Sequence, residues 1–422
     1  MTIDKEGRIH RTAAQPDDPK DDCLNRIAVT KYTLTTCLGR GVAAHRDALV
    51  AGRCGLAPCR FEDVDLETWV GEVEGLDAPN PSPDRRAHTC RNNRLAELAL
   101  GQDGFLDAAR QAVGRYGASR VAVYLGTSTS GILDTELAYR VRDAASGGLP
   151  AWFDYRSSHS ISSLAEHVGR LVGATGPLGV ISTACSSSAK AFATAARQIA
   201  CGLIDAAVVG GVDTLCLTTL YGFNSLELLA RGPCRPFDRE RAGLSIGEAA
   251  GYALLERAAR TDLWLTGYGE SSDAHHMSTP HPEGRGALQA MDAALARAGL
   301  QASAIDYINL HGTATPSNDT AEGRAVAQRF GARVPASSTK GATGHTLGAA
   351  GGVEAVICLI ALHEGLIPGC VGMTEADPSI QIGLDALARP APLRNVLNNS
   401  LGFGGTNCSL VFSREDEVSA HG

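Results

Sequence analysis

One cysteine stands between a β-branched run and an alanine-rich stretch in ISTACSSSAK, residues 181–190. At a strand-to-helix turn the Cys185 sulfur faces the unpaired N–H groups of a helix N-terminus, which favour an anion. That placement predicts a thiol pKa below the ordinary value of about 8.5 and hence a nucleophile at neutral pH. The backbone N–H of the same residue can form half of an oxyanion hole. A structural cysteine, buried as a small apolar residue, is the competing reading, and it is the preferred one for the other cysteines.

Three further clusters could do chemistry. In NLHGTATPSNDTAE (309–322) His311 follows a strand end, where a loop side chain can project into a cleft. Thr313 and Thr315 add hydroxyls on alternating positions, which suits an extended ligand bearing amides. In SSTKGATGHTLGAAGG (337–352) Lys340 and His345 share a glycine-rich loop before a helix. The phosphate-loop pattern GxxxxGK[ST] is absent, because the lysine precedes the glycines. A histidine at a helix start is disfavoured as a cation, so a neutral imidazole that donates a hydrogen bond is expected. In SLGFGGTN (400–407) Phe403 rides on a glycine hinge, as a core plug or as a gate.

The elements around these clusters read as an α/β pattern. RVAVYLG (120–126), GVIST (179–183) and DAAVVGGVD (205–213) are strand-like, and SSSAKAFATAARQIACG (186–202) is a small-residue helix closed by Gly202. A strand–helix–strand order predicts a mostly parallel sheet covered by helices. IDYINLHG (305–312), DTAEGRAVAQRFG (319–331), PASSTKG (335–341) and TLGAAGGVEAVICLIALHEG (346–365) repeat the scheme. NNSLGFGGTNCSLVFS (398–413) reads as two strands about a glycine turn. The small-residue helices after Cys185 and His345 predict close packing at the centre of a duplicated fold, with the site at the junction of two halves. The halves are expected at 26–262 and 263–415, between a flexible N-terminal tail (1–25) and a short C-terminal one (416–422).

Bulk properties narrow the function. A chain of 422 residues exceeds what one core serves. A net charge of −8 argues against a nucleic-acid coat, which needs a basic surface. The scattered cysteines form no CxxC pair and no metal-ligand spacing, so reduced thiols in a cytoplasm are expected. The longest apolar runs fall short of the ~18–20 residues of a membrane span.

Taken together and in order, TACSSS, GGVDTL, RPFDRERAGLSIGEAAG, SSDAHHMSTPHPEG, HGTATPSNDTAE, KGATGHTLGAAGG and NSLGFGGTN resemble the β-ketoacyl-acyl carrier protein synthases of the thiolase superfamily, in the Cys-His-His branch. The resemblance runs from about Arg26 to Phe412. It implies a layered α-β-α-β-α fold with two similar halves and buried central helices. It also implies a decarboxylating Claisen condensation. Cys185 would carry the acyl chain as a thioester, and its N–H with that of Phe403 would hold the oxyanion. His311 and His345 would bind the malonyl thioester carbonyl and stabilise the enolate left when carbon dioxide departs. Lys340 would organise the histidines, Glu322 would anchor the loop behind them through Lys340, and Asp319 would support it. Thr313 and Thr315 match positions that bind the phosphopantetheine arm, and Phe403 matches a gate. No metal and no permanently bound cofactor is implied, since substrates travel on the 4'-phosphopantetheine of an acyl carrier protein.

A homodimer is the family expectation, with a heterodimer of related subunits as the alternative. The acidic carrier needs a local basic surface, for which Arg85, Arg86, Arg91, Arg94, Arg140 and Arg142 are candidates. The first strand RIAVTKYTLTTCLG lacks the usual glycine-containing opening, and GTSTSGIL (126–133) replaces a more glycine-rich pocket loop. These departures point to a specialised synthase of polyene or polyketide chains. Rival readings are a non-condensing chain-length factor, which lacks the nucleophile, a thiolase, which needs a second cysteine as base, and a cysteine hydrolase, which has no use for the second histidine and the lysine.

Overall fold

A computed structural model describes residues 26–76 and 90–415, together with the paired two-residue strands Thr2–Ile3 and Ile9–His10. The tails expected at 1–25 and 416–422 otherwise lie outside the described residues. One plan of five strands occurs twice. The first set is β1 (Ile27–Thr36), β2 (Val121–Gly126), β3 (Leu178–Ile181), β4 (Ala206–Asp213) and β5 (Ala249–Glu256). The second is β6 (Leu263–Ser272), β7 (Tyr307–Asn309), β8 (Pro335–Ser337), β9 (Asn395–Gly402) and β10 (Thr406–Arg414).

Across the sheet the sets run β3-β2-β4-β5-β1 and β8-β7-β9-β10-β6, which is the same permutation. In both, the second strand is parallel to the third and fourth, and the fifth is antiparallel to the fourth and first. The pairs Trp264↔Ala28 and Leu265↔Ile27 join β6 to β1, so one twelve-stranded sheet passes through both halves. The sheet is therefore mixed, not mostly parallel. Only Phe403–Gly405 separates β9 from β10, and so short a turn can join only antiparallel neighbours.

Helices fill three layers. α1 (Arg91–Leu100), α2 (Phe105–Tyr116) and α3 (Ser162–Val172) cover the outer face of the first set, where Leu95, Phe105 and Val168 meet Val121, Val208 and Tyr252. α4 (Ser187–Ala200) and α7 (Ala350–Glu364) lie at the centre, with α5 (Arg285–Ala298) and α6 (Pro316–Phe330) on the far side. Phe192 of α4 and Leu359 of α7 share one core with Val209 of the first set and Leu410 and Phe412 of the second. Met291 of α5 and Val326 of α6 pack on Ile308, Leu397 and Val411. Strand alternation explains the division: Ala206 and Val208 of β4 face the outer layer, Ala207 and Val209 the central one.

The central helices touch as their composition predicts. A Cβ on Gly351 would stand 2.7 Å from the Cβ of Ala189, so only glycine admits this approach. The Gly352 N–H donates to Ser188 Oγ at 2.7 Å, tying the start of α7 to that of α4. Residues Leu347–Glu364 form a stretch long and apolar enough to cross a membrane, beyond the reach expected from sequence, yet 89% of it is buried inside the protein. Each fully buried large aliphatic side chain there contributes about 1.5–3 kcal/mol. It is a core helix.

Candidate active site

Cys185 stands in the turn between β3 and α4. Ala184 before it takes the left-handed conformation (φ +53°), uncommon for a residue with a Cβ. The serines that follow hold the turn. Ser187 Oγ accepts from the Thr183 N–H at 2.8 Å, and Ser186 Oγ donates to the Thr183 carbonyl at 2.9 Å. Thus the cysteine is fixed at the mouth of α4 by its neighbours, and its sulfur is turned toward the second half of the chain.

His311 follows β7. The N–H groups of His311 and Gly312 donate to the two carboxylate oxygens of Glu322, each at 2.8 Å, and Asn399 Nδ2 adds a bond at 3.1 Å. Asp319, one helical turn earlier on the same face of α6, accepts from the N–H groups of Thr313, Ala314 and Phe237. Both acids therefore shape the loop through its backbone. Glu322 does not act through Lys340 as expected, because its oxygens already serve these N–H groups. The ion-pair partner of Lys340 is Glu354 of α7. The same ammonium donates to the His311 carbonyl and lies 3.3 Å from His311 Nδ1.

His345 Nε2 is 3.1 Å from Cys185 Sγ. Its Nδ1 accepts from the Leu347 N–H at 3.2 Å, so the ring proton of the neutral form sits on Nε2. The Lys340 ammonium facing Nδ1 fixes the same tautomer in His311. The two rings meet edge to face, centroids 5.2 Å apart at 85°. His345 is not at the start of a long helix; it lies between the short helix Lys340–Thr343 and the 3-10 turn Leu347–Ala349. Its neutrality has another origin. Burial, then Lys340, holds both imidazoles well below their usual pKa, and His345 adds to the effect at His311. Two neutral N–H donors converge beside one thiol.

The sulfur and one ring nitrogen of each histidine all lie within 4.8 Å of one another, close enough to suggest a metal site. With Nδ1 engaged and Nε2 protonated on both rings, no imidazole lone pair is directed at an ion, so this donor set does not fit a metal.

Cys185 departs from expectation. Burial pushes its thiol up to about 11; Lys340 and a hydrogen bond from the Phe403 N–H pull it down, and Asp213 and Glu354 work against them. Desolvation outweighs the helix terminus here. Below that pKa the thiolate fraction rises with pH, so alkylation of Cys185 by iodoacetamide should quicken about tenfold per unit between pH 7 and 10. A rate already level above pH 7 would mean that the helix terminus prevails.

Cys185, His311, His345 and Phe403 line a pocket whose free space, counted with the solvent at its mouth, is about 560 Å³, together with the apolar Phe223, Leu228 and Leu244 and the polar Thr313, Thr315 and Asn318. The two threonine hydroxyls are 2.8 Å apart. The half-buried Phe403 ring lies 5.7 Å from that of Phe223, and Gly404 after it takes φ +79°. Cys408, the only other cysteine near this motif, is a fully buried residue of β10 and no second base.

Sequence reasoning missed two acids. Glu354 is the one charged residue in the otherwise apolar stretch from Ala350 to Leu362, and that isolation was the available signal. Asp213, at the end of β4, accepts from Thr127, the N–H of Ser128, Thr129 and the N–H of Ala349, joining the pocket loop to the start of α7.

The arginine cluster is not one surface. Arg91 is 2% exposed and bonded to the buried Glu248 and to Glu72, so it cannot meet a partner. Arg94 is half-buried, its Nε donating to the Leu76 carbonyl. Arg140 is exposed and paired with Asp63 at 2.7 Å, and Arg142 is exposed. Arg85 and Arg86 lie outside the described residues.

Comparison with known proteins shows the family. The beta-ketoacyl synthase N-terminal domain matches residues 24–261 and its C-terminal domain residues 264–374. The chain belongs to the β-ketoacyl synthase family. The synthase is 32% identical to the mitochondrial 3-oxoacyl-[acyl-carrier-protein] synthase of Arabidopsis thaliana, over 92% of this chain and 93% of that one. It is 31% identical to 3-oxoacyl-[acyl-carrier-protein] synthase 2 of Vibrio cholerae, over 92% and 99%. Among solved structures it resembles a chain of the complex between a ketosynthase and its chain length factor from Xenorhabdus doucetiae, with TM-score 0.84, 36% identity, and coverage of 95% and 100%. The protein is accordingly an acyltransferase, a β-ketoacyl-acyl carrier protein synthase of fatty acid or polyketide elongation.

Proposed function

We propose that the synthase performs a two-stage condensation with Cys185, His311, His345 and Lys340 as its working groups. The observation that carries this reading is the convergence of two neutral imidazole N–H donors on a buried thiol. In the first stage the Cys185 sulfur attacks an acyl thioester delivered on a carrier's phosphopantetheine, and the N–H groups of Cys185 and Phe403 hold the oxyanion. The tetrahedral adduct collapses by breaking the bond to the phosphopantetheine sulfur, which leaves as a thiol carrying the proton lost by Cys185. In the second, His311 and His345 donate to the carbonyl of a malonyl thioester. Carbon dioxide leaves, the enolate is stabilised without any proton abstraction, and its carbon attacks the acyl-enzyme. The bond to Cys185 breaks, the sulfur leaves as thiolate and takes up a proton, and the β-ketoacyl chain departs on the carrier. Thr313 and Thr315, which line the pocket, bind the pantetheine amides, and the half-buried Phe403 gates it.

The repeated strand plan supports a division into halves near residues 262 and 263. Exposed apolar side chains at Tyr139, Trp152, Tyr155 and Ile161 support a dimer, as does β3, which among the described residues forms one end of the sheet. A cytoplasmic location fits the reduced cysteines. The loop Thr127–Ser130, pinned by Asp213, supports a specialised chain preference. Purified alone, the protein should run at twice 43.9 kDa in native mass spectrometry and convert acyl and malonyl carrier thioesters to a β-ketoacyl product two carbons longer. A monomer active only beside a related subunit would replace the homodimer with a heterodimer, and a pure monomer with full activity would contradict both.

A further inference from the structure

The turn that carries Lys340 rests on thiols that the condensation does not use. Cys234 S–H donates to the Lys340 carbonyl at 3.2 Å, and Cys37 S–H lies 3.7 and 3.6 Å from the carbonyls of Ala342 and Thr343. The loop holding Cys54 is fastened to the same place. Gly55 N–H donates to the Ala342 carbonyl at 2.9 Å, and Arg53 reaches the Leu38 carbonyl at 3.0 Å. A Cβ built on Gly55 would be 2.7 Å from the Cys37 sulfur, so the residues flanking Cys54 bracket Cys37. Cys54 is exposed, Cys37 half-buried and Cys234 buried. The two outer thiols are also close enough to interact electrostatically.

We propose that Cys54 and Cys37 form a reversible disulfide under peroxide, and that this bond switches the synthase off through the Lys340 turn. Cys54 is exposed, and partial burial holds its thiol above the usual pKa, so it first gives up its proton. The thiolate attacks one peroxide oxygen, the hydroxide released takes up that proton as water, and Cys54 becomes a sulfenic acid. The Cys37 thiol displaces the second oxygen as water and forms the S–S bond. The peroxide is reduced to two waters, each sulfur gives up one electron, and an external dithiol restores both thiols. In the disulfide Cys37 has no S–H to give to Ala342 and Thr343. The turn then shifts, and Lys340 leaves its place between His311 and Glu354.

The test exposes enzyme whose Cys185 is shielded as its acyl thioester to hydrogen peroxide, then maps peptides without reductant and assays condensation. Expected are a peptide linking Cys37 to Cys54 and a loss of condensation of about 100-fold, the scale of a misplaced positioning group, both reversed by dithiothreitol. Cys54→Ser should lack the link and keep its activity through the same treatment, and Cys37→Ser should likewise lack the link. Oxidation of the exposed Cys201 without a Cys37–Cys54 link would overturn the proposal, and so would a link that leaves condensation unchanged. The link is read by mass and does not depend on the condensation mechanism.

Discussion

Cys185→Ala is expected to lose β-ketoacyl formation by about 10⁵-fold or more, because on the proposed mechanism it removes the group that holds the acyl chain between the two stages. The fold should survive. The turn is held by Ser186, Ser187 and Ser188, not by the thiol, and the cavity left by one sulfur costs about 1 kcal/mol. Thermal unfolding within a few degrees of wild type, beside absent product, separates chemistry from stability. Retained condensation in this variant would assign the acyl chain to another group.

His311→Ala is expected to slow condensation by about 10²–10³-fold while leaving acylation of Cys185 nearly intact, the usual effect of losing one oxyanion donor. The asymmetry follows from position. His345 Nε2 is 3.1 Å from the sulfur, whereas the His311 ring, held by Lys340 and by the Glu322-anchored loop, has a nitrogen within 4.8 Å of it but no hydrogen bond to it. On the proposed mechanism its N–H serves the second substrate. The same substitution leaves Lys340 without a ring nitrogen to face but keeps its pairing with Glu354. A burst of acyl transfer at wild-type rate followed by slow turnover is the expected kinetic signature. Equal losses in both stages would make His311 a general structural support.

Sequence carried much of this site, because its parts are local. The elbow at Cys185, the strand end before His311 and the turn around Phe403 each lie within a dozen residues and use residue types with few alternatives. What escaped was set by distant partners. Glu248 neutralises Arg91 from 157 residues away, so an arginine that looked like docking surface is part of the core. Glu354 is only 14 residues from Lys340, but its place in an apolar helix hid the pairing, and that displaced the role expected of Glu322. The Cys185 thiol could not be ranked from its turn alone. The helix terminus favours the anion, yet complete burial opposes it more strongly, and burial depends on the second half closing over the first. The repeated topology was visible as two small-residue helices, but the antiparallel strands at the seam belong to pairings that no short stretch encodes.

The most direct measurement is intact-protein mass after incubation with an acyl-carrier thioester, followed by addition of malonyl-carrier thioester. A gain of one acyl group, mapped to the peptide bearing Cys185 and discharged with release of carbon dioxide when the malonyl donor arrives, is the predicted result. No adduct on folded protein, or an adduct on another residue that still discharges to product, would contradict Cys185 as the acyl carrier of the reaction.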